Sequence, residues 1–344
     1  MENKSKLISQ ALETKKPVSK PVSVSPNSNI QIVKNVRQQV RPSIVQARIN
    51  ALNTNSELET MKQFASSGDI YLTFGGVGDL MLLLGEAYQN NNGKIIFFAN
   101  DGCQIFAYDF IKYFNVKTLV LKNIFGSNEA HNALQILKET NRLMQSAHLP
   151  DGLDYGDWTR NNDKYINRII TKTNWAEKIG YDEKIASQKT VVIALTGSYR
   201  KMHKQKFLTP LEVEAINKIY LDYGYTIYMT GSEADRLYYS SFRSPKILWM
   251  TNNKIFNYKN QVEMITFQKY LQIINSANEC ASVDTWLKTF TCLLGKPTKV
   301  FDNRYNNNYS FGTDSGDYIF LNTKLWKNMM LFRWEDFVEN NGWL

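Results

Sequence analysis

Runs of apolar and polar positions change their period repeatedly along the chain, which predicts strands alternating with helices. Short apolar runs predict strands in the first part at residues 69–74, 94–99 and 117–122. Helical spacing predicts helices at residues 43–65, 79–88, 104–114, 129–148 and 163–177. In the second part, strands are expected at residues 190–195, 225–229, 247–250, 279–283 and 298–301, and helices at 210–223, 262–276 and 326–340.

Strands that alternate with helices at short spacing predict parallel sheets with helices on both faces. We therefore expect an α/β protein with two doubly wound, Rossmann-like domains that face a central cleft. The expected segments are an arm at residues 1–50, a first domain at 51–187, a second domain at 188–322 and a terminal helix at 323–344.

The positive charge of the chain lies mainly in the arm. The 344 residues have a formal net charge of +9, and residues 1–50 contribute +7 of it from nine Lys or Arg and two acidic residues. This segment has no aromatic residue and has Pro17, Pro21 and Pro26 close together, which predicts a disordered basic arm. Such an arm either contacts nucleic acid or another anionic surface, or is a solvated extension without a role.

Composition excludes several classes of protein. The three cysteines and three histidines show no spacing typical of a zinc site, and the cysteines do not suggest a disulfide framework. We therefore expect no metal site. No run of 18 apolar residues is present and no signal peptide is recognisable, which predicts a cytoplasmic protein, in the host cytoplasm if the source is a phage or virus.

The first candidate motif follows the first predicted strand. Gly76 and Gly78 stand at a strand-to-helix turn, where glycine allows an anion or an acceptor to approach the backbone. Asp79 follows them at the expected helix start, either as a base that removes a proton from a hydroxyl or as a helix cap. An acid at Asp101, after the next strand, also leaves open a dinucleotide site, although Met81 stands where that fingerprint needs a third glycine.

Three loops of the second domain follow predicted strands and should meet at the carboxyl edge of its sheet, where doubly wound folds bind ligands. The first loop begins at Thr196 and carries Arg200 and Lys204, which are suited to a diphosphate or are simply solvated. The second contains Gly231 and Glu233, and the carboxylate of Glu233 either accepts ribose hydroxyls or caps the next helix.

The third loop is the most informative. Asp284 and Thr285 stand at a helix start, where their side chains cap the helix. The unpaired N–H groups of its first turn and its positive dipole end suit a phosphate. An ordinary capped helix without a ligand is the alternative.

These motifs resemble those of the heptosyltransferase-like glycosyltransferases, which have the two-domain GT-B fold. The resemblance covers about residues 68–340. Residues 75–79, Gly-Gly-Val-Gly-Asp, are similar to the family's Gly-Asp motif, whose Asp is the proposed base. Residues 282–289 and the Leu-Gly-Lys-Pro at 294–297 are similar to its Asp-Thr-Gly-x-x-His segment and the Leu-Gly-x-Pro behind it. Residues 196–206 stand where the family has its phosphate loop, and residues 230–233 are similar to its Thr-Gly-Gly stretch.

Two residues depart from the family pattern. Trp286 replaces the glycine that lets backbone amides approach the diphosphate, and Thr289 stands where the histidine is expected. Lys288, one residue earlier, is a candidate to supply the lost positive charge.

The resemblance implies a metal-independent, inverting transfer of a sugar from a nucleotide sugar, with the donor on the second domain and the acceptor on the first. No cofactor is expected beside this nucleotide-sugar co-substrate. The acceptor is a glycan of the lipopolysaccharide type or a hydroxylated base in DNA, to which the basic arm would be suited. The alternatives are a non-catalytic nucleotide- or nucleic-acid-binding protein on a degenerate scaffold, and an NAD-dependent oxidoreductase that uses Gly76, Gly78 and Asp101.

Overall fold

The computed structural model describes most of the residues beyond the predicted arm. The described residues are 54–89, 91–99, 104–122, 137, 139, 143–147, 174–196, 208–240, 243–283, 285–301, 329–332 and 334–339. The predicted arm at residues 1–50 lies outside them, as do Asp101, Arg200, Lys204 and Asp284.

The first sheet has four parallel strands in the order β3-β2-β1-β4. Their bounds are β1 (Asp69–Gly75), β2 (Gly93–Ala99), β3 (Lys117–Lys122) and β4 (Leu143–Ala147). The accompanying helices are α1 (Thr54–Ala65), α2 (Val77–Gln89) and α3 (Gln104–Phe114). Because side chains alternate along a strand, Ile70 and Leu72 pack in the core of α1, whereas Tyr71 packs in the core of α2 and α3. Helices therefore cover both faces of this sheet.

The second sheet has eight strands in the order β12-β11-β10-β5-β6-β7-β8-β9, and β8 runs antiparallel to both β7 and β9. The bounds are β5 (Thr190–Ala194), β6 (Thr226–Thr230), β7 (Ile247–Met250), β8 (Lys254–Phe256), β9 (Val262–Met264), β10 (Glu279–Ser282), β11 (Thr298–Phe301) and β12 (Met329–Phe332). The remaining helices are α4 (Trp175–Ile179), α5 (Glu183–Ala186), α6 (Pro210–Asp222), α7 (Glu233–Tyr238), α8 (Phe267–Ser276), α9 (Trp286–Leu293) and α10 (Trp334–Glu339).

The predicted α/β class with two doubly wound sheets is confirmed. Within the described residues, no helix combines the length and the apolar character that a membrane span requires. The domain boundaries at residues 51, 188 and 323 stay predictions.

Three helix predictions are wrong where a strand is found instead. Leu143–Ala147, inside the helix expected at 129–148, pairs with β1. Val262–Met264, expected to begin a helix, pairs with β8, and α8 begins at Phe267. Met329–Phe332 pairs with β11, and the described terminal helix is Trp334–Glu339. In each case pairing with a neighbouring strand overrides the local pattern.

One apolar core joins the two sheets. It contains Leu80 and Met81 of α2 and Phe110 of α3 together with Tyr270 of α8 and Phe290 of α9. All five side chains are buried. Elements of the first and second sheets therefore pack directly against each other, and the first turns of α2 and α9 lie within this contact.

Candidate functional site

The N-terminal turns of α2 and α9 meet between the two sheets. A Cβ atom on Gly78, the second residue of α2, would lie 3.4 Å from Trp286 Cα and 3.4 Å from Thr289 Oγ1. A methyl group at this position would meet both atoms at ordinary contact distance, so the first turns of α2 and α9 are packed neighbours. Both helices follow the carboxyl ends of strands, β1 and β10, so each directs its positive dipole end and unpaired N–H groups to the carboxyl edge of its sheet.

Thr285 caps α9, as the sequence predicted. Its backbone is extended, and its Oγ1 accepts a hydrogen bond of 3.3 Å from the Leu287 N–H. The Ser282 hydroxyl lies 3.0 Å from the Thr285 hydroxyl and donates to the Val283 carbonyl at 2.7 Å. The start of α9 is thus fixed by two hydroxyls, and Ser282 is a site residue that the sequence analysis did not single out.

Asp79 lies within the first turn of α2 and not at its cap. The helix begins at Val77, so Gly76 precedes it and Asp79 is its third residue. The Leu80 N–H donates to the Gly76 carbonyl at 3.3 Å, which closes the first turn. The backbone of Asp79 therefore stands beside the contact that Gly78 makes with α9.

Lys288 and Thr289 are both buried. Lys288 is 4% exposed and Thr289 is 6% exposed. Burial raises the pKa of the nearby Cys292 thiol to about 12, and the positive charge of Lys288 acts in the opposite direction. The side chain predicted to replace the lost charge is therefore buried, within electrostatic reach of Cys292.

Trp286 lies in a cluster of aromatic rings. Its ring centroid is 4.9 Å from that of Phe106 and 5.7 Å from that of Phe110, both on α3. Tyr270 and Phe290 each lie 6.1 Å away. A bulky side chain at the position expected for a glycine is therefore accommodated by packing against the first sheet's helix.

The second loop of the predicted site is occupied by a capping box. Ser232 caps α7 and exchanges hydrogen bonds with Asp235, so the alternative that Glu233 caps this helix is wrong. Glu233 is the first residue of α7, and its Oε1 lies 3.6 Å from Arg236 Nη2. A Cβ on Gly231 would lie 3.0 Å from Asp235 Oδ2, so this glycine is needed for close packing.

Thr196 is half-buried at the end of β5, and the loop after it, with Arg200 and Lys204, lies outside the described residues.

Two polar contacts near the shared core were not foreseen. Asn252 donates to the carboxylate of Asp109, whose pKa is raised by burial in spite of this bond. The hydroxyls of Thr230 and Tyr270 lie 2.7 Å apart.

No protein-family model matches the chain, and no curated protein matches it. Solved structures with a similar arrangement include the E. coli ADP-heptose lipopolysaccharide heptosyltransferase II, at 11% identity, 77% coverage of this chain, 90% coverage of that chain and a TM-score of 0.42. A glycosyl transferase family 9 protein from Veillonella parvula matches at 10% identity, 77% and 87% coverage and a TM-score of 0.43. The S. aureus MnaA co-structure with UDP matches at 10% identity, 69% and 80% coverage and a TM-score of 0.40.

The matched structures thus include the kind of enzyme that the sequence motifs resemble.

Proposed function

We propose that the protein is a glycosyltransferase that moves a sugar from a nucleotide sugar to an acceptor hydroxyl at the junction of α2 and α9. The observation that supports this proposal is the contact of the two helix starts across Gly78, within 3.4 Å of α9 atoms. Two helix N-termini from two sheets then act on one point, where N–H groups and dipoles favour a negatively charged leaving group.

The proposed reaction is a single displacement. Asp79 takes the proton of the acceptor hydroxyl, and the acceptor oxygen attacks the anomeric carbon of the donor sugar. The bond between that carbon and the diphosphate oxygen breaks, and its electron pair leaves with the nucleoside diphosphate. The first turn of α9 with Thr285, together with Arg200 and Lys204, would bind the diphosphate, and Glu233 would bind the ribose. No divalent ion is required in this scheme, and the sugar inverts.

The experiment that tests this proposal separates donor binding from turnover. The melting temperature is measured with a panel of nucleotide sugars, nucleoside diphosphates and NAD. We expect the nucleotides of one base to raise it, because a ligand that binds the folded state stabilises that state. With that donor, Asp79→Asn should retain the shift but lose turnover by about 10²-fold or more, because a general base is removed. The matched control is Asp222→Asn, at the exposed end of α6. Near-normal turnover by Asp79→Asn would contradict the mechanism, and a shift with NAD alone would favour the oxidoreductase.

The acceptor is tested with the same donor. A lipopolysaccharide-type glycan and DNA with hydroxylated bases form the two arms of the assay. If DNA is the acceptor, deletion of residues 1–50 should weaken DNA binding and flatten its dependence on salt, because phosphate contacts release counterions. An unchanged salt dependence after the deletion would show that the arm does not contact DNA phosphates.

A specific observation favours a second candidate, a nucleotide-binding protein without turnover. Trp286 packs against α3 of the first sheet, and Lys288 is buried. Two residues at the expected diphosphate-binding position therefore contribute to the packing of the protein. This candidate predicts a thermal shift with a nucleotide, no transfer to any acceptor, and no measurable effect of Asp79→Asn.

A further inference from the structure

A small cavity lies on the face of the second sheet opposite the core shared with the first sheet. It has a volume of about 60 Å³, and residues that line it include Asn217 on α6, Arg236 on α7 and Trp249 on β7. Trp249 belongs to the apolar core beneath α6, whereas its neighbour Met250 belongs to the core shared by the two sheets. The cavity is therefore distinct from the junction of α2 and α9.

Three buried polar atoms in the lining lack a protein partner. Asn217 Oδ1, Arg236 Nε and Trp249 Nε1 are each buried without a hydrogen bond to any described residue. Asn217 is 3% exposed and Trp249 is 8% exposed. Because buried polar atoms in folded proteins are nearly always hydrogen-bonded to protein or to ordered water, three such atoms on residues of one cavity call for a polar occupant.

The rest of the Arg236 guanidinium is committed to the protein. Its Nη1 donates to Asn260 Oδ1 at 3.0 Å, and its Nη2 lies 3.6 Å from Glu233 Oε1. Its central carbon lies 4.3 Å from the centroid of the Phe256 ring. These contacts fix the orientation of the side chain and leave its Nε–H without a partner among the described residues.

The charge of the lining favours an anion. Arg243 also lines the cavity and is exposed, and no carboxylate is present among the described residues of the lining. The Nε–H of Arg243 donates to the Ser240 carbonyl at 3.3 Å, which holds the side chain near the opening. A volume of this size accepts about four water molecules, or one anion of about five heavy atoms.

We propose that this cavity, the α7 pocket, binds a small oxyanion that also carries a hydroxyl, such as inorganic phosphate or a 2-hydroxy carboxylate. The N–H groups of Arg236 and Trp249 donate to the oxyanion oxygens. Asn217 Oδ1 accepts the hydroxyl hydrogen, and Arg243 supplies charge at the open side. The pocket does not depend on the proposed transferase activity.

The experiment is isothermal titration calorimetry of the full chain at fixed ionic strength near pH 7. Phosphate is compared with sulfate, which has the same shape but no proton at this pH, and glycolate is compared with acetate. We expect phosphate, glycolate or both to bind at least about tenfold more tightly than the matched anion without the hydroxyl, because a buried acceptor left unpaired disfavours that anion. A difference between phosphate and sulfate identifies a phosphate ligand, and a difference between glycolate and acetate identifies a 2-hydroxy carboxylate.

Variants assign the binding to the pocket. Arg243→Gln, on an exposed side chain that folding does not require, should weaken binding by about tenfold, as loss of a charged hydrogen-bond donor does. Trp249→Phe should also weaken it, whereas Lys246→Gln, an exposed cation outside the lining, should change affinity by less than about twofold. Three results would overturn the proposal: no binding of phosphate or glycolate, equal binding of the anions without a hydroxyl, or binding that survives in Arg243→Gln and is lost in Thr285→Val.

Discussion

Replacing Trp286 with alanine tests whether the aromatic cluster holds the two sheets together. Trp286 belongs to α9 of the second sheet and contacts Phe106 and Phe110 on α3 of the first sheet. The Phe106 ring meets it edge-on, at an interplanar angle of 70°. The substitution removes these contacts and leaves the backbone of α9 in place, since alanine is a good helix former.

The expected loss of stability follows from the partial burial of the ring. Full truncation of a buried Trp to Ala costs about 3–5 kcal/mol, and Trp286 is half-buried, so we expect a loss of about 2–3 kcal/mol. The edge-on pair with Phe106 should account for about 0.5–1.5 kcal/mol of this loss beyond the buried area.

The assay is urea unfolding followed by far-ultraviolet circular dichroism, because removal of a tryptophan alters fluorescence directly. The control is Tyr181→Ala, which truncates an aromatic ring that is 60% exposed and should change stability by less than about 0.5 kcal/mol. A double-mutant cycle of Trp286→Leu with Phe106→Leu measures the pair itself. A Trp286→Ala variant as stable as the Tyr181→Ala control, or a coupling energy of zero, would refute the reasoning.

Three further predictions concern stability. Lys299 Nζ lies 3.1 Å from both carboxylate oxygens of Glu279 in a largely buried ion pair. Lys299→Met leaves the carboxylate unpaired and should lower the free energy of unfolding by about 3–5 kcal/mol in urea unfolding. The double variant with Glu279→Leu should recover most of this loss. A hydrogen bond from Lys269 holds the pKa of Asp182 below its ordinary value. The ionised Asp182 therefore stabilises the folded state above about pH 4, and this stabilisation is lost as the pH falls through the lowered pKa. The difference in melting temperature between the wild type and Asp182→Asn should shrink below about pH 4. Gly231→Ala would bring a methyl group to 3.0 Å from a carboxylate oxygen and 3.2 Å from a tryptophan ring carbon, which should lower stability by about 1–3 kcal/mol in the same assay.

The parts of the fold predicted from sequence are those whose pattern reflects complete burial. Strand β5 is a continuous apolar run, and all of its residues are buried between two layers of helices. Helix α3 begins and ends where the periodicity predicted, because one of its faces contributes to the core and the other is exposed. In both, the local pattern and the tertiary environment agree.

Four strands were not predicted: β4, β9 and β12 lie at the edges of their sheets as far as the structure describes them, and β8 lies between β7 and β9. An edge strand has a neighbour on one side and is buried less regularly, so its sequence need not alternate. All three residues of β9 are exposed, with Val262 and Met264 at 51% and 65%. Their conformation is set by pairing with a strand elsewhere in the chain, which a local pattern does not encode.

At the candidate site, the helix starts were predictable and their partners were not. Capping chemistry is local, so Thr285 is identified from the residues around it. The burial of Lys288 is not expected from its charge, and the contact of Trp286 with Phe106 joins residues far apart in sequence. The unpaired atoms of the α7 pocket likewise belong to three separate elements, α6, α7 and β7.

The two departures from the family motif meet at the same glycine. Trp286 and Thr289 stand where a glycine and a histidine are expected, and both lie 3.4 Å from the position that a Cβ on Gly78 would occupy. The start of α9 therefore packs against Gly78 of α2 without a glycine of its own. In a substituted Gly78→Ala chain the methyl group would still be at ordinary contact distance from α9. That substitution should leave stability nearly unchanged, whereas any anion that needs the space between the two helix starts should bind more weakly, so nucleoside diphosphate binding by Gly78→Ala decides whether this close contact is a ligand seat or a packing contact.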